Sequence, residues 1–149
     1  MRIYFSITYC LCVLMLLSAC SSDMLPFSSD ALEGEVAVPP DNWTQVTSQE
    51  IIQLETNPAD PYSVNLWIIG EDKNLFVFAG ANRATWIEHI EKDPNVRLKI
   101  SNSIYELKAA RETDPEVMQW FAGKWDEKYG RRPRNENVEE AYLIKLTKR

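Results

Sequence analysis

The chain has 149 residues, with 16 Lys and Arg against 22 Asp and Glu, one His and three Cys, for a formal charge of −6 at pH 7. That length suits one domain with one core. A net acidic chain argues against a nucleic-acid partner, which would require a basic footprint.

Taken in order, Met1 to Cys20 is read first as a processing segment. It carries one basic residue, Arg2, then an apolar run from Ile3 to Leu17, and ends in Leu17-Ser18-Ala19-Cys20. An apolar stretch this short, closing in small residues, reads as a signal peptide and not as a spanning helix. Its ending resembles the lipobox of bacterial lipoproteins; the competing reading is an ordinary signal in which Cys20 is incidental. The resemblance implies removal of residues 1–19, thioether diacylation of Cys20 and acylation of the new amino terminus. Each buried CH₂ contributes about 0.8 kcal/mol, so several acyl chains on Cys20 would anchor the chain to a membrane firmly. Likeness to enterobacterial sorting, with Ser21 after the Cys, implies the outer membrane; a periplasmic face is the expectation taken, with the outward face left open. Cys10 and Cys12 leave with the signal. The processed chain therefore offers no disulfide and no Cys nucleophile, and with His89 alone no Cys/His metal site. Without Arg2 the balance is 15 basic against 22 acidic residues, a formal −7 over 130 residues.

Ser21 to Asp41 is rich in Ser, Asp, Glu and Pro and closes with Pro39-Pro40. With lipidated Cys20 it reads as a flexible tether over 20–41, spanning on the order of 25 Å. The folded domain is placed at 42–149, opening near Trp43. Thr47-Ser48-Gln49-Glu50 fits a capping box, which predicts a short helix carrying Ile51, Ile52 and Leu54; the β-branched residues also suit a strand, and the helix is the reading taken. Asn57-Pro58-Ala59-Asp60-Pro61 stops it. Val64 to Ala79 is a hairpin turning at Gly70 to Asn74. Trp67, Ile68, Ile69, Phe76, Val77 and Phe78 leave neither of its faces polar, so both should be covered. A helix follows from Arg83 to Lys92, capped by Asn82 and stopped by Asp93-Pro94. The second hairpin, Val96 to Arg111, alternates cleanly. Val96, Leu98, Ile100, Tyr105, Leu107 and Ala109 point in, and Asn102 supplies the turn because Asn tolerates positive φ. Asp114-Pro115-Glu116 starts a longer helix with an apolar stripe at Val117, Phe121, Trp125 and Tyr129, ended by Gly130. Ala141 to Thr147 is a last strand.

The order is α-β-β-α-β-β-α-β, an α+β domain. The run Leu75-Phe76-Val77-Phe78-Ala79-Gly80, then Trp86, then Asp93-Pro94-Asn95-Val96-Arg97-Leu98 resembles the split β-barrel flavin-binding superfamily. Its pyridoxamine-phosphate-oxidase-like and deazaflavin-dependent nitroreductase-like branches are the nearest. The resemblance, from about Trp43 to Leu146, implies a small antiparallel split β-barrel with flanking helices. It also implies FMN or deazaflavin as cofactor, with phosphate contacts at the turn after the first hairpin, and a homodimer. The Gly-Arg-Lys-Ser-Gly-type loop of the deazaflavin branch has no counterpart between Trp43 and Val64, so fold and cofactor chemistry need not travel together.

Candidate cofactor-binding residues are Gly80, Ala81, Asn82 and Arg83 at a helix N-terminus, where free N–H groups and the dipole favour an anion, with Trp67 and Trp86 as ring walls. Arg83 stacked on Trp86 in solvent is the competing reading for that turn, and barrel core is the competing reading for Trp67 and Phe78. Arg97 and Lys99 are expected in solvent. His89 is expected on a rim, and Trp120 as an exposed interface anchor or packed under the tether. Lys124, Lys128, Arg131, Arg132 and Arg134 are expected on a mixed, solvated face. No catalytic residue is assignable: one His and no Gly-x-Ser-x-Gly leave no hydrolase triad. Two functions follow, a lipid-anchored binding or interaction module, and a flavin- or deazaflavin-dependent oxidoreductase.

Overall fold

A computed structural model describes residues 27–28 (by backbone alone), 30–80 and 83–149. Cys20 and the signal segment, and Ala81 and Asn82 of the candidate turn, therefore lie outside the described residues. Eight strands and two helices follow in order: β1 (Phe27–Ser28), β2 (Glu35–Ala37), a 3-10 turn (Val46–Ser48), β3 (Ile51–Thr56), β4 (Tyr62–Glu71) and β5 (Asn74–Ala79). Then come α1 (Thr85–Lys92), β6 (Asn95–Ile100), β7 (Ser103–Glu112), α2 (Pro115–Tyr129) and β8 (Tyr142–Lys148).

Strands β4-β3-β6-β7-β8-β5 pair antiparallel in that order, and β5 returns to β4, closing a barrel. The ten-residue strands β4 and β7 make closure possible, because each changes partner along its length. β4 pairs with β3 through Tyr62–Trp67 and with β5 through Ile68–Glu71. β7 pairs with β6 through residues 103–108 and with β8 through residues 107–112. The fold is thus an α+β split barrel with flanking helices.

Alternate side chains fill the interior: Ile52, Leu54, Val64, Ile68, Leu75, Val77, Val96, Leu98, Ile100, Tyr105, Leu107, Ile144 and Leu146, joined by Trp43 and by Trp86, Ile87 and Ile90 of α1. The opposite faces of β4, β5 and β8 present Ile69, Phe76 and Leu143 to Met118, Phe121 and Trp125 of α2, a second core outside the wall. That accounts for the first hairpin's double apolar face. The caps of α2 form as predicted: Asp114 accepts from the Glu116 N–H at 2.8 Å, and Gly130 takes φ 69° while its N–H donates to Asp126 O.

Four expectations are corrected. Residues 51–56 form a strand and not a helix. The Thr47 hydroxyl, needed to cap that helix, instead donates to Trp43 O at 2.8 Å, with Gly70 O at 3.3 Å. Ile51 consequently faces solvent while Ile52 and Leu54 are buried. α1 starts at Thr85 with Ala84 as an N-cap that gives no side-chain bond. The β6–β7 turn puts its positive φ, 55°, on Ser101 and not on Asn102. Finally, the part of the expected tether that is described lies on the barrel. β1 pairs with β4, β2 pairs parallel with β7, and Leu32 is buried. Composition alone marked 20–41 as a linker. The open halves of β4 and β7, left by the split, give that segment a place to dock.

Candidate functional site

Trp67 sits on β4 at the point where β3 leaves it, its side chain directed outward under α2. One ring face stacks on Tyr129, with centroids 4.6 Å apart and planes 16° off parallel. Trp125 closes the edge at 5.3 Å, and the Arg131 guanidinium lies over the ring at 4.8 Å. Phe78 lies 5.5 Å from Phe121 and 5.8 Å from Trp125, and Trp120 packs 5.7 Å from Phe76. Phe78 is therefore core. Trp120 is half-buried against that same core and is not held out as an exposed anchor.

Next to Trp67, the last turn of α2 mends the split. The Tyr129 hydroxyl accepts the Ile68 N–H at 3.0 Å and lies 2.9 Å from Ile68 O and 3.1 Å from Glu50 O, which share its proton. The Lys128 ammonium donates to Thr47 O, Gln49 O and Ile68 O at 2.6, 2.8 and 2.9 Å. Burial pushes the Lys128 pKa down and the Tyr129 pKa up to about 12. Three carbonyls around one amine are all satisfied only by its protonated form. Lys128 is thus a structural cation and a poor nucleophile, and the expectation that it belongs to a solvated face is corrected. Its neighbours there do pair in solvent, Lys124 with Glu71 and Glu127 and Arg132 with Glu136.

The other predicted cofactor residues lie elsewhere. Trp86 is 4% exposed, inside the barrel. Arg83 is exposed and paired with Glu91, and with Glu88 at 3.9 Å, so it neither stacks on Trp86 nor stands free for an anion. A Cβ at Gly80 would meet nothing within 4 Å, so close approach does not require glycine there. A flavin needs a ring wall and a phosphate seat on the same side of the fold. Trp67 belongs to the core outside the wall and Trp86 to the core inside it. Among the described residues, the two expected ring walls Trp67 and Trp86 do not share one site.

His89 is half-buried on α1. Its Nδ1 lies 3.1 Å from the Thr56 hydroxyl, and Tyr62 meets its ring edge-on at 5.1 Å. That hydroxyl also lies 3.2 Å from Tyr62 O, so its one proton goes to Tyr62 O or to the imidazole according to the tautomer of His89. Shallow cavities open on the surface of the described residues. One of about 280 Å³ is lined by Thr47, Ser48, Gly70, Lys124 and Lys128, and one of about 270 Å³ by Pro40, Trp43, Lys73 and Lys148. Neither contains a predicted site residue.

Sequence reasoning missed a third arrangement. Glu55, 3% exposed on the outer face of β3, takes both carboxylate contacts from Arg97 Nη1 at 3.0 Å. It also accepts the Leu32 N–H at 2.6 Å, and Arg97 Nη2 donates to Leu32 O at 3.1 Å. Arg97 is therefore not a solvated strand residue. Only a cross-strand Glu–Arg pair at Glu55 and Arg97 could have signalled this, and the helical reading of residues 51–54 hid it.

No protein-family model matches the chain, and no curated protein sequence does. Solved structures do. A Listeria innocua protein named as a pyridoxamine 5′-phosphate oxidase aligns over 68% of this chain and 86% of its own, at 14% identity and TM-score 0.54. A Bacteroides thetaiotaomicron protein named for 5-nitroimidazole antibiotic resistance aligns over 68% and 75%, at 14% identity and TM-score 0.56. HutZ, the heme storage protein of Vibrio cholerae, aligns over 70% and 86%, at 15% identity and TM-score 0.53. At such identities the likeness establishes the split-barrel fold.

Proposed function

We propose that this chain is an envelope lipoprotein, held to the outer membrane on its periplasmic side through lipid on Cys20, whose split barrel is a binding or interaction module. The anchor rests on Leu17-Ser18-Ala19-Cys20. One observation supports the module reading over a redox enzyme: the fold itself engages three of the residues expected to hold a flavin. Trp67 is covered by Tyr129 and Arg131, Trp86 is sealed in the barrel, and Arg83 is paired with acids. The second reading, a flavin- or deazaflavin-dependent oxidoreductase and in its family form a homodimer, is favoured by the names of the structural neighbours. An absorption spectrum of protein taken from its native membranes decides between them. The module reading expects no flavin band; a stoichiometric flavin that turns over with a reductant overturns it. Mass spectrometry of the processed amino terminus should find a diacylglyceryl group on Cys20, and Cys20→Ser should release the protein from the membrane. An unacylated chain still beginning at Met1 would overturn the anchor.

A further inference from the structure

The cavity of about 270 Å³ lies where residues 40–43 meet the β4–β5 turn and the end of β8. Its apolar lining is Pro40, Trp43 and Leu146, the last two belonging to the inner core. Its charged lining is Asp41, Lys73 and Lys148, two bases against one acid. The walls are fixed. Glu71 pairs with Asn74, so Asp72-Lys73 is a tight two-residue turn. Three hydrogen bonds clamp that turn to residues 42–44. Trp43 N–H donates to Asp72 O at 2.8 Å, Asp72 N–H to Thr44 Oγ1 at 3.0 Å, and Asn42 Nδ2 to Asp72 Oδ1 at 3.1 Å. Tyr105 in turn holds the Trp43 ring edge-on at 5.2 Å.

The two bases are engaged differently. Lys148 Nζ donates to Asp41 Oδ1 at 2.6 Å, and the Asp41 side chain is 92% exposed. The Lys148 hydrogen bond and charge, and more weakly the charge of Lys73, hold the Asp41 carboxyl below the usual carboxylate range. Lys73 is exposed and makes no ion pair among the described residues, and the neighbouring Asp72 carboxylate accepts from Asn42 instead. The mouth therefore already seats one carboxylate, on a side chain surrounded by solvent, and leaves a second ammonium unpaired beside it.

We propose that this cavity binds a small carboxylic acid with a compact apolar body, its carboxylate seated between Lys73 and Lys148 in place of Asp41 and its body against Pro40, Trp43 and Leu146. The volume lies at the lower edge of ligand sites, which limits the acid to a single ring or a short branched chain. Exposed ion pairs are weak alone, so the apolar wall decides which anion stays. None of the residues expected to hold a flavin lines the cavity. The site goes beyond the module reading and stands with or without the lipid anchor.

The test titrates phenylacetate, and separately acetate, into the full nitrogen-labelled chain and follows its amide and indole signals by magnetic resonance. Phenylacetate should shift the Lys73 and Lys148 amides and the Trp43 indole N–H saturably, and acetate should bind at least tenfold more weakly. Lys73→Met should weaken phenylacetate about threefold, and Lys73→Met with Lys148→Met at least tenfold. Lys124→Met, at the other cavity, removes the same charge and should leave the affinity unchanged. Asp41→Asn, which frees Lys148, should tighten binding. Asp41, Lys73 and Lys148 are all exposed, so their variants should keep the native circular dichroism. No saturable shift at Trp43, an affinity indifferent to the double substitution, or no gain with Asp41→Asn overturns the site. Acetate bound as tightly as phenylacetate overturns the apolar body of the ligand.

Discussion

Tyr129 carries one hydroxyl and serves three backbone groups, the N–H and C=O of Ile68 and the C=O of Glu50. Removing it takes from the part-buried Ile68 N–H the hydroxyl it donates to, while Ile68 O keeps the Lys128 ammonium, a loss of roughly 1–3 kcal/mol for one buried group left unsatisfied. Tyr129→Phe should therefore lower the unfolding free energy by that order while keeping the Trp67 stack, which needs only the ring. The hydroxyl also gives this residue a signature in pH. Its folded pKa is near 12, against an ordinary value of 10.0, because burial disfavours the phenolate. The folded state thus holds its proton where the unfolded chain has lost it. The stabilisation is complete below pH 10 and is lost as pH rises towards 12. The wild-type minus Tyr129→Phe stability difference, from denaturant unfolding at several alkaline pH values, should shrink across that window. A flat difference would show that the hydroxyl is not the group responsible. The ring of Tyr129 was legible in the sequence as part of an i, i+4 stripe. The bond to Ile68 was not, because its partner is a backbone group 61 residues away.

At the scale of elements, both hairpins and the long helix could be read, because local rules and tertiary packing agree there. The alternation in β6 and β7 and the Asp114-Pro115 start with its Gly130 stop needed no distant partner. The segment 46–56 misled for the opposite reason. Thr47-Ser48-Gln49-Glu50 does resemble a capping box, yet Thr47 is drawn away by Trp43 O, and β3 gains ladders on both edges from β4 and β6. A short helix there would forfeit both ladders. The 3-10 turn is also fixed by a close approach that no local pattern announces: a Cβ on Gly70 would lie 2.4 Å from Thr47 Oγ1 and 2.7 Å from Thr47 Cγ2. Gly70→Ala should therefore push the turn off the first hairpin and cost about 1–3 kcal/mol, as overpacking does. Thr47→Ala in the same chain should recover part of that loss in the denaturant midpoint. If the second change adds to the first, the contact is not the cause. The two expected ring walls parted at this scale, Trp67 to the outer core and Trp86 to the inner one. Gly80–Arg83 and the first hairpin are neighbours in sequence, but sequence proximity does not say which side of a closed wall each side chain takes.

For the whole molecule, the consequence of closure is that β4, β5 and β8 each belong to two cores at once. Ile68, Val77 and Ile144 face the interior, while Ile69, Phe76 and Leu143 on the same strands face α2. Neither core can melt without stripping one face of a strand the other core requires, so the barrel and α2 should unfold together. The five tryptophans make this measurable, since Trp43 and Trp86 report the inner core and Trp67, Trp120 and Trp125 the outer. Phe121 is fully buried in the outer core alone. Phe121→Ala removes a large apolar side chain and leaves a cavity, at a cost of about 3–5 kcal/mol, a large share of the roughly 5–15 kcal/mol that holds a domain folded. If the two cores are one cooperative unit, that loss must appear equally in every probe. Tryptophan fluorescence and far-ultraviolet circular dichroism should shift to the same lower midpoint with an unchanged denaturant slope. Were α2 merely docked on an independent barrel, the substitution would instead split the transition. The outer tryptophans would then report early, while the sheet signal stayed at its wild-type midpoint.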